Sequence, residues 1–254
     1  MNLIPISDIR NVFIPTSCKY LKIDIGLAGD APNSAIWLSD TSDRFVIGIE
    51  PLEYHWKHMS RLGSPDGLNI IKPWKIVQFE DNTIVQNGQK VCDIGDRFCG
   101  ILGAIDNVAT PKIQKFYKNI KGRTGSSSLL KPQDLSVLDS TIEIDTFSVE
   151  YMLDNLPRKF DFIEHIKTDC EGKDLSAVKS IGKYLTKTVF ISSEVRNNNL
   201  DEWVGTQNSN EFFSFMLGNN FSVLNDSGSN VDFINNSLKP LVDQLKLTCN
   251  TLGL

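Results

Sequence analysis

The sequence predicts an α/β fold in which mostly parallel strands present their tips to a single ligand crevice. Three observations carry that expectation. An apolar strand stops at a glycine turn and leads into a helix. A second strand ends in an acid about 20 residues beyond that turn. A later strand ends in two acids and a glycine, with a helix behind it.

The first stretch runs Tyr20-Leu21-Lys22-Ile23-Asp24-Ile25-Gly26-Leu27-Ala28-Gly29-Asp30. Leu21, Ile23 and Ile25 read as a buried strand broken by Gly26, and Pro32 opens a helix through Asn33-Ser34-Ala35-Ile36-Trp37-Leu38. Gly26 lets the backbone approach a bound molecule, and the free N–H groups of a helix start hold a carboxylate or phosphate. The next strand, Phe45-Val46-Ile47-Gly48-Ile49, ends in Glu50-Pro51. An acid at that place hydrogen-bonds ribose hydroxyls, so Glu50 points to a nucleoside-containing cofactor. A dinucleotide calls for G-x-G-x-x-G, but the chain offers only Gly26 and Gly29, with Asp30 placed to repel a diphosphate. S-adenosylmethionine carries no phosphate and two cationic centres, and acids such as Asp24 and Asp30 suit it. The plainer alternative is an ordinary strand–turn–helix with a surface acid.

The 254 residues suit one large domain, with a core over about 20–235, an elaboration over 60–100 and a last helix over 238–247. A net charge of −5 with no basic block disfavours nucleic acid, and no apolar run reaches the ~20 residues needed to span a bilayer. The first 18 residues lack a signal-peptide apolar core, so a cytoplasmic location is expected. Cys18, Cys92, Cys99, Cys170 and Cys249 form no C-x-x-C and read as free thiols, so no structural zinc is expected. His55 and His58 lack a carboxylate pattern beside them and read as surface residues.

Along the chain, residues 1–19 form a lead-in. Lys75-Ile76-Val77-Gln78-Phe79 and Thr83-Ile84-Val85 suggest a hairpin around Glu80-Asp81-Asn82, in a segment of the kind that shapes substrate pockets. Ile101-Leu102-Gly103-Ala104-Ile105-Asp106-Asn107 reads as a buried strand capped by an acid, making Asp106 a candidate partner of a base amino group. Residues 114–118 suggest a short strand, and 122–128 a polar linker or lid. After a strand at 141–147 and a short helix at 148–155 comes Ile166-Lys167-Thr168-Asp169-Cys170-Glu171-Gly172. Lys167, Asp169 and Glu171 alternate and share one side of the strand tip; a structural salt bridge is the competing reading. Leu175, Val178, Ile181 and Leu185 predict an amphipathic helix over 173–185. Residues 188–195 give a further buried strand with Glu194 near its end. Residues 221–224 and 231–234 give a closing antiparallel pair. The last helix packs on the body or on a second copy, so a homo-oligomer is one possibility.

With these stretches in view, the chain resembles the FkbM-type family of S-adenosylmethionine-dependent methyltransferases over about 20–235. The likeness rests on Asp24-Ile25-Gly26, on Gly48-Ile49-Glu50-Pro51, on Thr124-Gly125-Ser126-Ser127-Ser128-Leu129, and above all on the Lys-x-Asp-x-Glu-Gly pattern of 167–172. The chain departs from the family's Asp-x-Gly-Ala-Asn-x-Gly motif after Gly26, where Leu27-Ala28-Gly29-Asp30 intervenes and the asparagine is absent from its expected place. The resemblance implies a Rossmann-like class I methyltransferase fold: a mostly parallel seven-stranded sheet, helices on both faces, and an antiparallel edge pair. It also implies methyl transfer to a hydroxyl of a sugar, glycan precursor or small metabolite, with no metal required. In that reading Asp169 is the general base or orients the acceptor, Glu171 stands second, and Lys167 fixes both. Glu50 and Pro51 meet the ribose, Asp24 and Gly26 with Gly29 and Asp30 meet the methionine end, and Asp106 meets the adenine. His165, earlier on the strand, is expected in the core. A nucleotide-cofactor oxidoreductase and a non-catalytic binding domain on the same fold are the rival readings.

Overall fold

The computed structural model describes residues 2–27, 31–59, 77–80, 82–86, 89–121, 123–195 and 202–249. Gly29 and Asp30, with all of 60–76 and the glycine at 122, lie outside them. In chain order the first elements are β1 (Asn2–Pro5), β2 (Tyr20–Ile25), α1 (Pro32–Asp40), β3 (Arg44–Glu50) and α2 (Glu53–His58). Three short strands follow, β4 (Val77–Glu80), β5 (Thr83–Gln86) and β6 (Gln89–Asp93). Next come β7 (Phe98–Leu102), β8 (Ala104–Ile105), β9 (Lys112–Asn119), β10 (Leu138–Phe147), α3 (Val149–Asn155), β11 (Ile163–Thr168) and α4 (Asp174–Lys179). The chain closes with β12 (Thr188–Glu194), α5 (Ser209–Gly218), β13 (Phe221–Asp226), β14 (Asn230–Asn235) and α6 (Lys239–Leu245).

An eight-stranded sheet in the order β1-β7-β3-β2-β11-β12-β14-β13 forms the body. From β1 to β12 neighbours run parallel, and β14 and β13 close the edge antiparallel. The expected seven strands become eight because the lead-in supplies β1, which pairs with β7 from Asn2↔Cys99 to Pro5↔Leu102. Strand order reverses between β2 and β11, so the crevice opens at their C-terminal tips, where open α/β sheets take ligands.

Helices on both faces make the central strands apolar on both sides. Every residue of β3 is buried. Phe45, Ile47 and Ile49 pack with α3, α4 and α5 through Met152, Val178 and Met216, whereas Val46 packs with Trp37 and Leu38 of α1 and Trp56 of α2. The last helix packs on the body: Val242 and Leu245 meet Val189, Phe190 and Ile234.

Three other expectations change. The strand expected over 101–107 breaks at Gly103 (φ +154), where a Cβ would lie 2.8 Å from the Asp145 carbonyl. The chain then leaves the main sheet and β8 pairs with β10, whose other side carries the long strand β9. The helix expected over 173–185 stops at Lys179, and Gly182 (φ +56) opens a 3-10 turn against Glu150. The expected hairpin is present as β4–β5, with Asp81 outside the described residues, and β6 extends it to a three-stranded meander.

A buried charge cluster lies at the other end of the central strands. Glu164, fully buried, accepts from Arg44 Nε at 3.0 Å and Nη2 at 3.1 Å, and lies 3.4 Å from Lys22 Nζ. Burial lowers the Lys22 pKa against the pull of Glu164. Removing one member strands the others in a dry interior. Glu164→Ala should cost about 3–5 kcal/mol in urea unfolding, and a loss below about 1 kcal/mol would show that solvent reaches the cluster.

Candidate functional site

Three strand tips meet around Gly26. The Gly26 N–H donates to the Ile49 carbonyl at 2.9 Å, and the Asp169 N–H donates to the Ile25 carbonyl at 3.0 Å. Gly26 has φ +77, and a Cβ there would fall 2.0 Å from the Asp169 carbonyl oxygen, so no other residue fits this junction. Lys167 Nζ lies underneath, donating to the Gly26 carbonyl at 2.8 Å, with Asp169 Oδ2 at 3.4 Å and Asp24 Oδ1 at 3.7 Å. Burial works against the Lys167 charge, but Asp169 and Asp24 outweigh it and hold the ammonium above the ordinary lysine range.

Asp24 sits below this junction and is not among the described residues lining the cavity. Its Oδ2 accepts from the Ser34 N–H at 3.0 Å and the Ser34 hydroxyl at 2.6 Å, tying β2 to the first turn of α1. Burial pushes its carboxyl up, opposed by Lys167 and Ser34.

A cavity of about 570 Å³ opens above the tips. Gly26, Glu50, Pro51, Asp169 and Glu171 all line it, together with Leu52, Ile105, Phe116 and Leu129. Glu50 is held from two sides: Oε1 accepts from the Leu52 N–H at 2.9 Å and lies 3.0 Å from His55 Nδ1. The other ring nitrogen of His55 lies 3.1 Å from the Thr124 hydroxyl. His55 is therefore not a surface residue but a 2 % exposed one in the cavity wall. Its role was hidden because Glu50 lies across a strand–helix turn and Thr124 far along the chain; the side chain of His58 lies outside the described residues.

The polar stretch read as a linker or lid is folded into the wall. Ser127 Oγ accepts from the Asn119 N–H at 3.0 Å, and Ser128 Oγ donates to the Glu171 carbonyl at 2.8 Å. Glu171 itself adopts φ +50 and lines the cavity together with Asp169. Asp106 stands outside the described cavity lining. Its carboxylate accepts from Lys173 at 2.9 Å, Gln114 at 3.3 Å and the Ser176 hydroxyl, and these partners outweigh burial to hold it below the usual carboxylate range. Lys173 lines the cavity, so Asp106 meets it through that lysine. His165 is fully buried between Trp37 and Phe190, as expected of a core histidine, with Ser192 at 2.8 Å.

Beside the main cavity is a smaller one of about 250 Å³, lined by Gly172, Asp174, Glu194, Thr206 and Gln207 among others. One oxygen each from Asp169, Glu171 and Glu194 lie within 4.8 Å of one another, a spacing that a metal ion could bridge. Asp174 Oδ1 accepts from the Cys170 N–H at 3.0 Å. Burial, then the charge of Asp169, pushes the Asp174 carboxyl up to about 6.

No family model matches the chain, and no curated protein matches it. Among solved structures it is similar to the methyltransferase FkbM from Methylobacillus flagellatus, at 13% identity and a TM-score of 0.44, over 92% of this chain and 48% of that one. The chain thus spans about half the length of that protein. A likeness at that level carries no argument about family or activity.

The Asp174 shift has a sign that can be measured. Its folded pKa lies above the unfolded value of 3.8, so the folded chain binds more protons across the window from there to about 6. Its stabilising contribution is complete below the window and is lost as pH rises through it. The difference in unfolding free energy between wild type and Asp174→Asn should change by about 2–3 kcal/mol between pH 4 and 7. A constant difference would place Asp174 in contact with solvent.

Proposed function

We propose that the chain is an S-adenosylmethionine-dependent methyltransferase acting on a hydroxyl oxygen of a small-molecule or carbohydrate acceptor. The observation that carries this reading is the single cavity shared by Gly26, Glu50, Asp169 and Glu171 at the reversal point of a mostly parallel sheet. The junction at Gly26 supports the cofactor fit: a bare backbone is required there, and Glu50 stands at the tip of the neighbouring strand.

When bound, the cofactor supplies an electrophilic methyl group. The chain's own residues bind, orient and move the proton. Glu50, aimed by His55 and the Leu52 N–H, accepts from ribose hydroxyls. Leu52, Ile105, Phe116 and Leu129 give the flat base an apolar slot. Lys167 fixes the Gly26 carbonyl and orients Asp169. Asp169, with Glu171 beside it, holds the acceptor hydroxyl in line and receives its proton as the oxygen takes the methyl group. Asp24 acts through Lys167 and α1, and Asp106 through Lys173.

Isothermal titration with S-adenosylhomocysteine tests the cofactor assignment. Wild type should bind, Glu50→Ala should weaken binding by about 1–3 kcal/mol, and His55→Gln by about 0.5–1.5 kcal/mol. A wild-type protein that binds NAD but not S-adenosylhomocysteine would overturn it in favour of an oxidoreductase. For catalysis, Asp169→Asn should keep cofactor affinity while methyl transfer to a panel of sugar nucleotides and hydroxylated metabolites falls by about 10²–10⁴. Undiminished transfer would remove Asp169 from the reaction.

A further inference from the structure

We propose that Ser128 is a positioning residue for Glu171, and that the arch 124–128 carrying it fixes the acceptor side of the cavity relative to the cofactor side. Its part in turnover rests on the methyltransferase reading; the clamp on the Glu171 backbone does not.

Glu171 is a residue that needs holding. Its φ of +50 lies in the left-handed region, which a side chain with a Cβ disfavours. Gly172 follows at φ +90, so two successive residues swing the chain out of β11 and toward α4. Two hydrogen bonds close this turn. The Cys170 N–H donates to Asp174 Oδ1 at 3.0 Å, and the Lys173 N–H donates to the Cys170 carbonyl at 3.3 Å. Neither engages the Glu171 carbonyl, which accepts from the Ser128 hydroxyl at 2.8 Å, across 43 residues of chain.

Ser128 is itself fixed. Its backbone bonds to Tyr117 of β9 in both directions, at 2.8 and 3.1 Å, and its side-chain oxygen accepts from the Leu130 N–H at 3.0 Å. The residue is 1 % exposed. Asn119 of the same strand holds the arch twice more, donating to Ser127 Oγ at 3.0 Å and to the Ser126 carbonyl at 2.8 Å. A serine hydroxyl has one proton to donate, and here it goes to Glu171.

The other end of the arch meets the cofactor half. Thr124 Oγ1 lies 3.1 Å from His55 Nε2, and His55 Nδ1 lies 3.0 Å from Glu50. Thr124, Gly125 and Ser127 line the cavity along with Glu50 and Glu171. One short segment anchored on β9 thus touches both the histidine that aims the ribose acid and the backbone of an acceptor-side acid. Transfer between two bound molecules depends on their mutual distance and angle, and a common frame sets both. Loss of the Ser128 hydroxyl releases Glu171 while leaving Glu50 in place.

Amide hydrogen exchange on the ligand-free protein tests the clamp without any acceptor. Ser128→Ala should speed exchange at Cys170 and Lys173 by about five-fold or more, with the Asp169 amide, bonded to Ile25, unchanged. Unaltered rates at Cys170 and Lys173 would overturn the proposal. Ser128→Cys, similar in shape but a weaker donor, replaces the alanine variant if circular dichroism shows that the latter fails to fold. Titration and turnover then separate positioning from a general loosening of the wall. Ser128→Ala should bind S-adenosylhomocysteine within about three-fold of wild type, while kcat on an acceptor from the panel falls about ten-fold or more. Affinity that falls as far as kcat, or an unchanged kcat, would overturn the role in turnover. Wild type that binds no S-adenosylhomocysteine removes the methyltransferase reading and leaves the exchange result to decide the clamp. Intact binding with unaltered exchange removes the clamp and leaves that reading standing.

Discussion

The contact between Gly26 and the Asp169 carbonyl is the constraint on which the rest of the site depends. Backbone meets backbone there at a distance that excludes even a methyl group. This closeness allows β2, β3 and β11 to end in one junction, with hydrogen bonds running from each tip to the next. Lys167 completes it from below, its ammonium drawn to the Gly26 carbonyl and to two acids. Asp169 is thereby tied by its backbone to the end of β2 directly beyond β11.

The charge distribution follows from the same arrangement. Parallel strands point their tips the same way, so acids at the ends of β3, β11 and β12 collect on one side of the molecule. The opposite end of these strands carries its own compensated cluster of Glu164, Arg44 and Lys22, closed to solvent. The two clusters differ in one respect. In the lower cluster one carboxylate is matched by two cations, whereas at the tips one cation, Lys167, is shared between Asp169 at 3.4 Å and Asp24 at 3.7 Å.

Much of the fold was legible in short apolar runs ending in glycine or an acid, because a buried parallel strand leaves that trace directly. Tyr20–Ile25, Arg44–Glu50, Ile163–Thr168 and Thr188–Glu194 all fall where their side chains required. What escaped depended on partners distant in sequence. Asn2–Pro5 has no strand pattern of its own and becomes one by adding to an exposed edge. Gly103 and Gly182 looked like passengers in apolar runs, yet each abuts a remote residue, Asp145 and Glu150, that forces the chain to turn. In the site, Gly26, Glu50, Asp169 and Glu171 announced themselves by position at strand tips. His55 did not, since its meaning lies in Thr124 and Glu50, which local spacing does not connect to it. Asp24 and Asp106 bear the right charge at the right strand ends, but closer partners take up their oxygens.

Trp203, nearly fully buried, bridges to Pro132, and backbone bonds join Gln133 to Glu202 at 2.9 Å and Val204 to Lys131 at 2.8 Å. Thr206, just beyond, rests against Gly172. Two loops remote in the chain are thereby laced into one rim beside the smaller cavity, which Thr206 helps to line. Such a rim is ordered once, when the protein folds, and the entropy of closing it is not lost again with each arriving molecule. What this rim contributes at the smaller cavity is shape already set when the chain folds.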